Sequence, residues 1–589
     1  MSTNPNKLSQ FWQELKRRRV IHVVVVYATV AFVIIELVNN VYETLELPDW
    51  TPALILILLI IGFPLAVIFS WIFDVTPGGI EKTKSIEESD SQDNINLPGT
   101  MKWKVATFAS LIILVALAIL HIVDRNKGSG DFREMEKSIA VLPFLNDSPD
   151  KENEYFINGT MESILDKLCK IQDLRVIART SVEQYRDKPM QIEEIAEALN
   201  VNYILEGSGQ KYENQIRLTV QLIDAKGGDH IWSGQYDKEL EDIFSIQSEI
   251  AQLIANEIKA IVTPEVKLRI EKKPTENMEA YNLYLQGRHF YSRVSGKEAY
   301  EKSIQFYQRA LEIDPEFALA YSGIAASYSA FAHGGYLPRS EVMHLARAAA
   351  QKALAIDNTL GEAHAELAWT KIYQDFDWDG GEKGLKLALE LNPNNAYAHR
   401  NYCWLLTMVG RYDESILEAK HALELDPLAS DIWAWLARAY IYAGDYDRAI
   451  EEFEKFFTNY PDFENARRWF ALAYLLKGMN QEALSEIDKV ETIFWIDGYI
   501  YGIAGEMEKA REVLDHYLER SKTAYVSPTD FTMIYLGLGE SDTAMDYLEM
   551  AYEQHEGWLV LLRAEPMYDS LRSNPRFQAL LDKMNYPDN

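Results

Sequence analysis

Three aspartates at alternate positions, Asp375, Asp377 and Asp379, have the spacing that most resembles a metal site in this sequence. Gly380 follows them, and an EF-hand calcium loop begins in the same way, since alternate oxygen atoms wrap one ion around a glycine turn. The twelfth position of such a loop is a bidentate glutamate, whereas here it is Lys386, whose charge opposes a cation. We therefore interpret the segment as a polar turn between helices, and we predict neither a metal nor a cofactor.

The common sequence motifs of catalytic and metal sites are absent from the sequence. It contains no Walker A, HExxH, CxxC or GxSxG pattern, and none of its 11 histidines stand four residues apart on a helix face. The formal net charge of −31 would repel phosphates, which argues against nucleic acid as a partner. These observations favour a protein that is not an enzyme.

A repeat of 34 residues organises the second half of the chain. Pro393, Pro427 and Pro461 stand 34 residues apart, each at the end of a predicted helix. A glycine that accepts a positive φ recurs at the same interval: Gly410, Gly444 and Gly478. This period and pattern resemble the tetratricopeptide repeat (TPR), which has two antiparallel helices per unit. The resemblance implies units stacked into a superhelix with a concave surface.

In TPR units, fixed positions of the first helix face the concave groove. Those positions are occupied here by eight residues: Trp369, Tyr397, Arg400, Trp404, Met408, Arg438, Tyr442 and Arg468. Aromatic and arginine side chains dominate binding hot spots, and three converging arginines would suit an acidic peptide or a terminal carboxylate. The alternative is that each arginine pairs with a neighbouring glutamate and the aromatic residues belong to the core. The lysines and asparagines of the known TPR carboxylate clamp are not reproduced, so the type of partner stays open.

From residue 137 to residue 262, predicted strands and helices alternate. Strands are predicted at 138–144, 174–177, 203–207, 215–224 and 229–236, and helices at 154–171, 191–199 and 242–262. The stretches IAVLPF, EYFINGTMESILDKL, LRVIARTSV, VNYILEGS, IRLTVQLIDAKGGDHIWS and DIFSIQSEIAQLIA resemble the TolB amino-terminal-like domain, which is related to FlgO-type domains. The resemblance implies a small α/β sandwich, often outside the inner membrane, that occurs beside TPR arrays, winged-helix domains or adenylate cyclase domains.

Three apolar runs precede that domain, at 20–41, 51–73 and 105–123. Each approaches the roughly 20 residues that cross a bilayer, so we predict three transmembrane helices. The flank before the first run is strongly basic and loop 74–104 holds four lysines, whereas loop 42–50 has no Lys or Arg. The positive-inside rule then places the N-terminus in the cytoplasm and the later domains outside it. The stretches FWQELKRRRV and FDVTPGGIEKT are similar to a membrane module that accompanies TolB-like domains.

The predicted fold is multidomain. It has three transmembrane helices in a membrane module at 1–127 with a cytoplasmic linker at 74–104, a small TolB-like α/β sandwich at 137–265, and an all-α TPR superhelix with a C-terminal cap at 278–589. Because the repeats use all of 278–589, no room remains there for the separate domain that a cyclase needs.

We expect a non-enzymatic scaffold or sensor, anchored as a multi-pass protein in a bacterial inner membrane, with a cytoplasmic N-terminus and periplasmic C-terminal domains. Its expected partners are the lipid bilayer and a protein or peptide ligand, for which acidic character is one option, and no nucleic acid. The oligomeric state is left open. The alternatives are a signalling adaptor that faces the cytoplasm, and a regulatory relative of adenylate cyclase-associated proteins that lacks a catalytic domain.

Overall fold

A computed structural model describes residues 137–587 apart from a few short gaps, two strands between 73 and 82, and scattered positions between 23 and 67. The chain divides into two compact units, residues 1–131 and residues 132–589. The described part of the second unit is a helical TPR superhelix joined to a small sheet domain. The predicted domain boundaries at 137–265 and 278–589 stay a prediction.

The predicted fold class, which included three transmembrane helices, is wrong. The predicted spans 20–41, 51–73 and 105–123 lie mostly outside the described residues, and within the described part no helix combines the length and the apolar character that crossing a bilayer requires. The inner-membrane localisation, which rested on those spans, is likewise wrong. The end of the second apolar run, 51–73, shows a physical reason why the helix prediction fails. An apolar run does not specify a helix: Phe73 begins a strand, β1 (Phe73–Thr76), which pairs antiparallel with β2 (Gly79–Lys82).

The sheet domain holds a six-stranded mixed sheet. Its strands are β3 (Ser138–Val141), β4 (Leu145–Asn146), β5 (Arg175–Val176), β6 (Tyr203–Tyr212), β7 (Gln215–Asp224) and β8 (His230–Glu239). The order is β5-β3-β6-β7-β8, with β4 paired to β6. Strands β3 and β5 run parallel, as do β3 and β6, whereas β6, β7 and β8 form an antiparallel meander.

Five helices accompany the sheet. They are α1 (Glu154–Cys169), α2 (Arg179–Glu183), α3 (Ile192–Leu199), α4 (Ile243–Glu257) and α5 (Pro264–Glu271). Helices α1 and α4 pack against each other, and Ile157, Ile164 and Leu168 of α1 are fully buried, as their spacing on one helix face predicts. The predicted strands and helices of this segment are confirmed in type and in order.

Eight helix pairs follow between residues 278 and 553. They are α6 (Met278–Arg293) with α7 (Lys297–Ile313), α8 (Ala318–His333) with α9 (Arg339–Ile356), α10 (Gly361–Thr370) with α11 (Trp378–Leu391), α12 (Ala396–Met408) with α13 (Tyr412–Leu425), α14 (Ser430–Tyr442) with α15 (Tyr446–Asn459), α16 (Glu464–Leu476) with α17 (Asn480–Ile487), α18 (Trp495–Ala504) with α19 (Met507–Arg520), and α20 (Pro528–Gly537) with α21 (Ser541–Glu553). First helices of most successive pairs contact one another, so they form the inner, concave wall of the stack.

The turn inside each regular unit has the conformation that the repeat predicts. Gly444 and Gly478 adopt φ values of 74° and 84°, in the left-handed region that glycine tolerates best. Ala449 and Ala483, five residues after those glycines, are fully buried at the seam between helices. A small residue therefore stands at the same place in both units, where two helices approach closely.

The sheet domain docks on the turns that end two of these units. Asn394 donates its side-chain amide to the carbonyls of Cys169 and Ile171, at 3.2 and 3.1 Å, and accepts from the amide of Val176 at 3.0 Å. One repeat later, the Leu425 carbonyl accepts from the amide of Ala178 at 2.7 Å. The sequence predicts these proline-containing turns as helix ends, but not as a docking surface.

Candidate functional site

The C-terminal segment enters the concave surface of the array. Two short 3₁₀ turns, Gly557–Leu561 and Pro566–Leu571, precede a last helix, α22 (Pro575–Lys583). The first of these turns contacts helix α12 of the fourth pair as well as α21 of the eighth. Trp558, in that turn, lies 5.5 Å from Trp495 between ring centroids. We call residues 557–571 the groove segment.

Arg438 of helix α14 lies at the centre of this contact. Its guanidinium is 3.6 Å from the ring centroid of Trp469 and 3.9 Å from that of Trp435, while Trp404 and Trp558 are each 5.7 Å away. Four indole rings thus surround one cation, and their negative faces replace part of its lost hydration. Burial lowers the pKa of Arg438.

A buried carboxylate from the groove segment completes the cluster. Glu565 is 1% exposed and accepts a hydrogen bond from the Tyr442 hydroxyl at 3.0 Å, and Tyr442 in turn lies 3.3 Å from Arg438. Burial raises the pKa of Glu565 to about 7. The groove segment therefore supplies an acidic group of the kind that the sequence analysis considers for an external ligand.

The side chain of Arg468 is also buried and forms its contacts inside the fold. Its Nε donates to Asp497 at 2.8 Å, and the two side chains are 5% and 7% exposed. Its Nη2 also donates to the backbone carbonyl of Thr492. Arg438 and Arg468 are therefore both buried, and Arg468 pairs with an aspartate instead of the neighbouring glutamate of the alternative. Their part in partner binding stays a prediction.

Two other residues predicted for the groove are part of the core. Met408 is fully buried, and Trp369 is 3% exposed with its ring centroid 5.4 Å from that of Tyr373. Trp404 is partly buried and donates its indole N–H to the Tyr373 hydroxyl at 3.3 Å. Their part in partner binding stays a prediction.

Tyr397 and Arg400 remain accessible on the same inner helix, α12. The guanidinium of Arg400 lies 4.3 Å from the ring centroid of Tyr397, whose side chain is among the more exposed aromatic ones at 49%. Arg400 donates to the side-chain oxygen of Asn401 at 3.1 Å and approaches Asp431 at 3.5 Å, a long contact with an exposed carboxylate. We call Tyr397, Arg400 and Asp431 the open patch.

The aspartate-rich turn serves as a helix cap. The Asp377 carboxylate accepts from the backbone N–H of Gly380 at 2.9 Å, which satisfies a free donor at the start of helix α11. Asp375 instead pairs with Arg347 at 2.7 Å. Across the described residues, no three acidic, histidine or cysteine side chains come together as a metal site.

The residues that sequence reasoning missed are those that complete the buried cluster: Trp435, Trp469, Trp558 and Glu565. Trp435 could have been found, because it precedes Arg438 by three residues and so shares its helix face. Glu565 gives no local signal, since its contact with Tyr442 joins positions 123 residues apart.

Comparison with protein families finds matches in three segments of the chain. Residues 430–475 and 295–317 match tetratricopeptide repeats, so the predicted repeats are confirmed. Residues 135–253 match the second domain of HilA/YgeH-like transcriptional regulators. The predicted TolB-like relationship of the sheet domain stays a prediction.

Three individual proteins are similar to parts of this chain. A curated protein of Rhizobium meliloti (strain 1021), named "Putative adenylate cyclase 3", is 34% identical over 232 residues, which are 39% of this chain and 39% of that protein. A TPR protein of Thermus thermophilus is 19% identical over 33% of this chain and 99% of its own, with a TM-score of 0.28. One from Parabacteroides merdae is 14% identical over 44% of this chain and 100% of its own, with a TM-score of 0.34. The likeness to these solved structures concerns the fold alone.

Proposed function

We propose that this chain is a protein-binding scaffold that takes a protein or peptide ligand at the open patch. TPR repeats are suited to protein binding, because their stacking creates an extended concave surface. The observation that carries the proposal is the accessible Arg400 stacked on the half-exposed ring of Tyr397. Stacking holds the guanidinium in place, and the contacts with Asn401 and Asp431 leave some of its five N–H donors for a ligand.

The chemistry of the open patch favours a ligand with one carboxylate beside an apolar or aromatic group. A carboxylate can accept two parallel hydrogen bonds from the guanidinium edge of Arg400, and an apolar group can cover the ring of Tyr397. Arg438 and Arg468 are buried, so they add little to recognition at the surface. The ligand is thus expected to need a single acidic residue and not an acidic run.

No catalytic step is assigned to the chain. The name of the Rhizobium relative is the reason to measure cyclic AMP formation by the purified protein, although the match spans only 39% of that relative. We expect no cyclic AMP above that of a blank reaction with ATP and Mg²⁺ or Mn²⁺. Turnover that follows the protein through purification would contradict a pure scaffold.

The test of binding compares two variants of the full chain. Tyr397→Ala combined with Arg400→Glu removes the ring and inverts the charge, and we expect capture of cellular partners to fall at least about tenfold, since hot-spot residues each contribute about 2 kcal/mol or more. The control is Arg448→Glu on the outer helix α15, which changes the same charge at a side chain that is 66% exposed. Equal capture by the double variant and the wild type would refute the role of the open patch.

A further inference from the structure

A cavity lies between the sheet domain and the first three helix pairs. It has a volume of about 410 Å³, which is in the range of sites for small molecules. Helices α1, α6 and α8 and the start of α10 contribute to its walls. Its lining includes four tyrosines, Tyr281, Tyr284, Tyr291 and Tyr307. Helix α8 adds the small residues Ser322, Gly323 and Ala326.

Two ion pairs occupy one side of this cavity. Arg288 of α6 lies 3.1 Å from Glu162 of α1, and Lys170 lies 2.8 Å from Asp166, one helical turn earlier. The Arg288 side chain remains 40% exposed, and its fork of five N–H donors is not exhausted by Glu162 and the Tyr284 hydroxyl at 3.4 Å. A cationic donor group therefore faces the cavity.

A carboxylate without a counter-ion faces the same space. Glu362 lies in the first turn of α10, lines the cavity, and is accessible to solvent. Among the residues that the structure describes, no Lys, Arg or His forms an ion pair with it. Desolvation of the carboxyl group in the cavity and the nearby charge of Asp166 raise the pKa of Glu362, whereas Arg288 and Lys170 lower it. Glu362 and Arg288 line the same cavity, and each has capacity left for a ligand.

We propose that this cavity binds a small zwitterion of the α-amino-acid class, with its ammonium group on Glu362 and its carboxylate on Arg288. A ligand with only a negative charge would meet the unpaired carboxylate of Glu362, and a ligand with only a positive charge would meet Arg288 and Lys170. A molecule that carries both charges satisfies both. The tyrosine rings then contact its side chain. This site is separate from the open patch and does not depend on the scaffold proposal.

The experiment uses the full chain and the free L-amino acids. Each of the twenty standard amino acids is added at millimolar concentration, and we expect at least one to raise the thermal unfolding midpoint, because a ligand that binds the folded state stabilises it. Calorimetry then compares that amino acid with its methyl ester, which lacks the carboxylate, and with its N-acetyl derivative, which lacks the ammonium. Each derivative should bind at least about tenfold more weakly, since a hydrogen bond to a charged group is lost.

A matched pair of variants assigns the ammonium contact. Glu362→Gln should weaken the same amino acid at least about tenfold, whereas Glu341→Gln, which removes an exposed charge from the first turn of α9, should leave binding unchanged. No binding by any amino acid, or equal binding of the ester or the N-acetyl form, overturns the proposal, as does unchanged binding by a folded Glu362→Gln protein. If that variant does not fold, the two derivatives decide the question on the wild-type chain.

Discussion

Replacing Glu565 by glutamine tests whether the groove segment holds a buried acid against the cluster around Arg438. The substitution keeps the shape of the side chain and removes its charge. Glu565 is 1% exposed, accepts from Tyr442 at 3.0 Å, and has a pKa that burial raises to about 7 from an ordinary value of 4.5. Folding therefore favours the protonated acid, although Tyr442 and Arg438 partly support the charged form.

The size of the effect follows from that difference in pKa. Because the folded-state pKa lies above the unfolded one, the wild-type chain keeps the full contribution of Glu565 below about pH 4.5 and loses it as the pH rises through about 7. One pKa unit corresponds to about 1.4 kcal/mol. Relative to low pH, the contribution of Glu565 to the free energy of unfolding therefore falls by about 3 kcal/mol at pH 8 and by about 1 kcal/mol at pH 5. Glu565→Gln does not titrate, so its stability relative to the wild type should rise by about 2 kcal/mol between pH 5 and pH 8.

Urea unfolding of both proteins at the two pH values, followed by tryptophan fluorescence, measures this change. Burial also raises the pKa of Glu366 to about 7 and of Asp530 to about 8, but both acids are present in both proteins and cancel in the comparison. Glu341→Gln, at an exposed position, controls for the loss of a negative charge. A stability difference between Glu565→Gln and the wild type that is the same at pH 5 and pH 8 would refute the buried, desolvated acid.

Two further substitutions probe the helix seam and the docked sheet domain. Ala449 is fully buried, so Ala449→Glu should cost several kcal/mol as an unpaired buried charge, and an unchanged thermal midpoint would show that the seam lies elsewhere. Asp426 accepts from the hydroxyls of Thr180 and Ser181, so Asp426→Ala should cost about 1–3 kcal/mol and speed hydrogen exchange in the contacting turn, whereas exposed Asp431→Ala should not. Equal exchange in both variants would mean that Asp426 does not hold the two parts together.

The repeats could be predicted because their information is local. Gly444 has a positive φ because the chain must reverse between two helices, and Ala449 is buried because those helices approach closely five residues later. Both requirements recur every 34 residues, so each unit supports the interpretation of the next. The strands and helices of the sheet domain could be predicted for the same reason, because each is specified by residues that are close in sequence.

The occupied groove could not be predicted, because it depends on contacts distant in sequence. The TPR positions predict that Arg438 and Tyr442 face inward, but they do not indicate that Trp558 and Glu565 return to cover them. The membrane prediction failed for a related reason. The length of an apolar run sets whether it could cross a bilayer, but it does not determine whether its end, such as Phe73, continues as helix or pairs as a strand.

The fourth helix pair is held from two sides, and this bears on the open patch. The turn after its second helix accepts the amide of Ala178 from the sheet domain, while Trp404 on its first helix lies 6.2 Å from Trp558 of the groove segment. Tyr397 and Arg400 belong to that same first helix, so their backbone is fixed before any ligand arrives. A ligand then loses less free energy in ordering the site. If the open patch binds a peptide as proposed, the same contacts leave the start of this helix as its place, because the groove segment already fills the inner surface around Arg438.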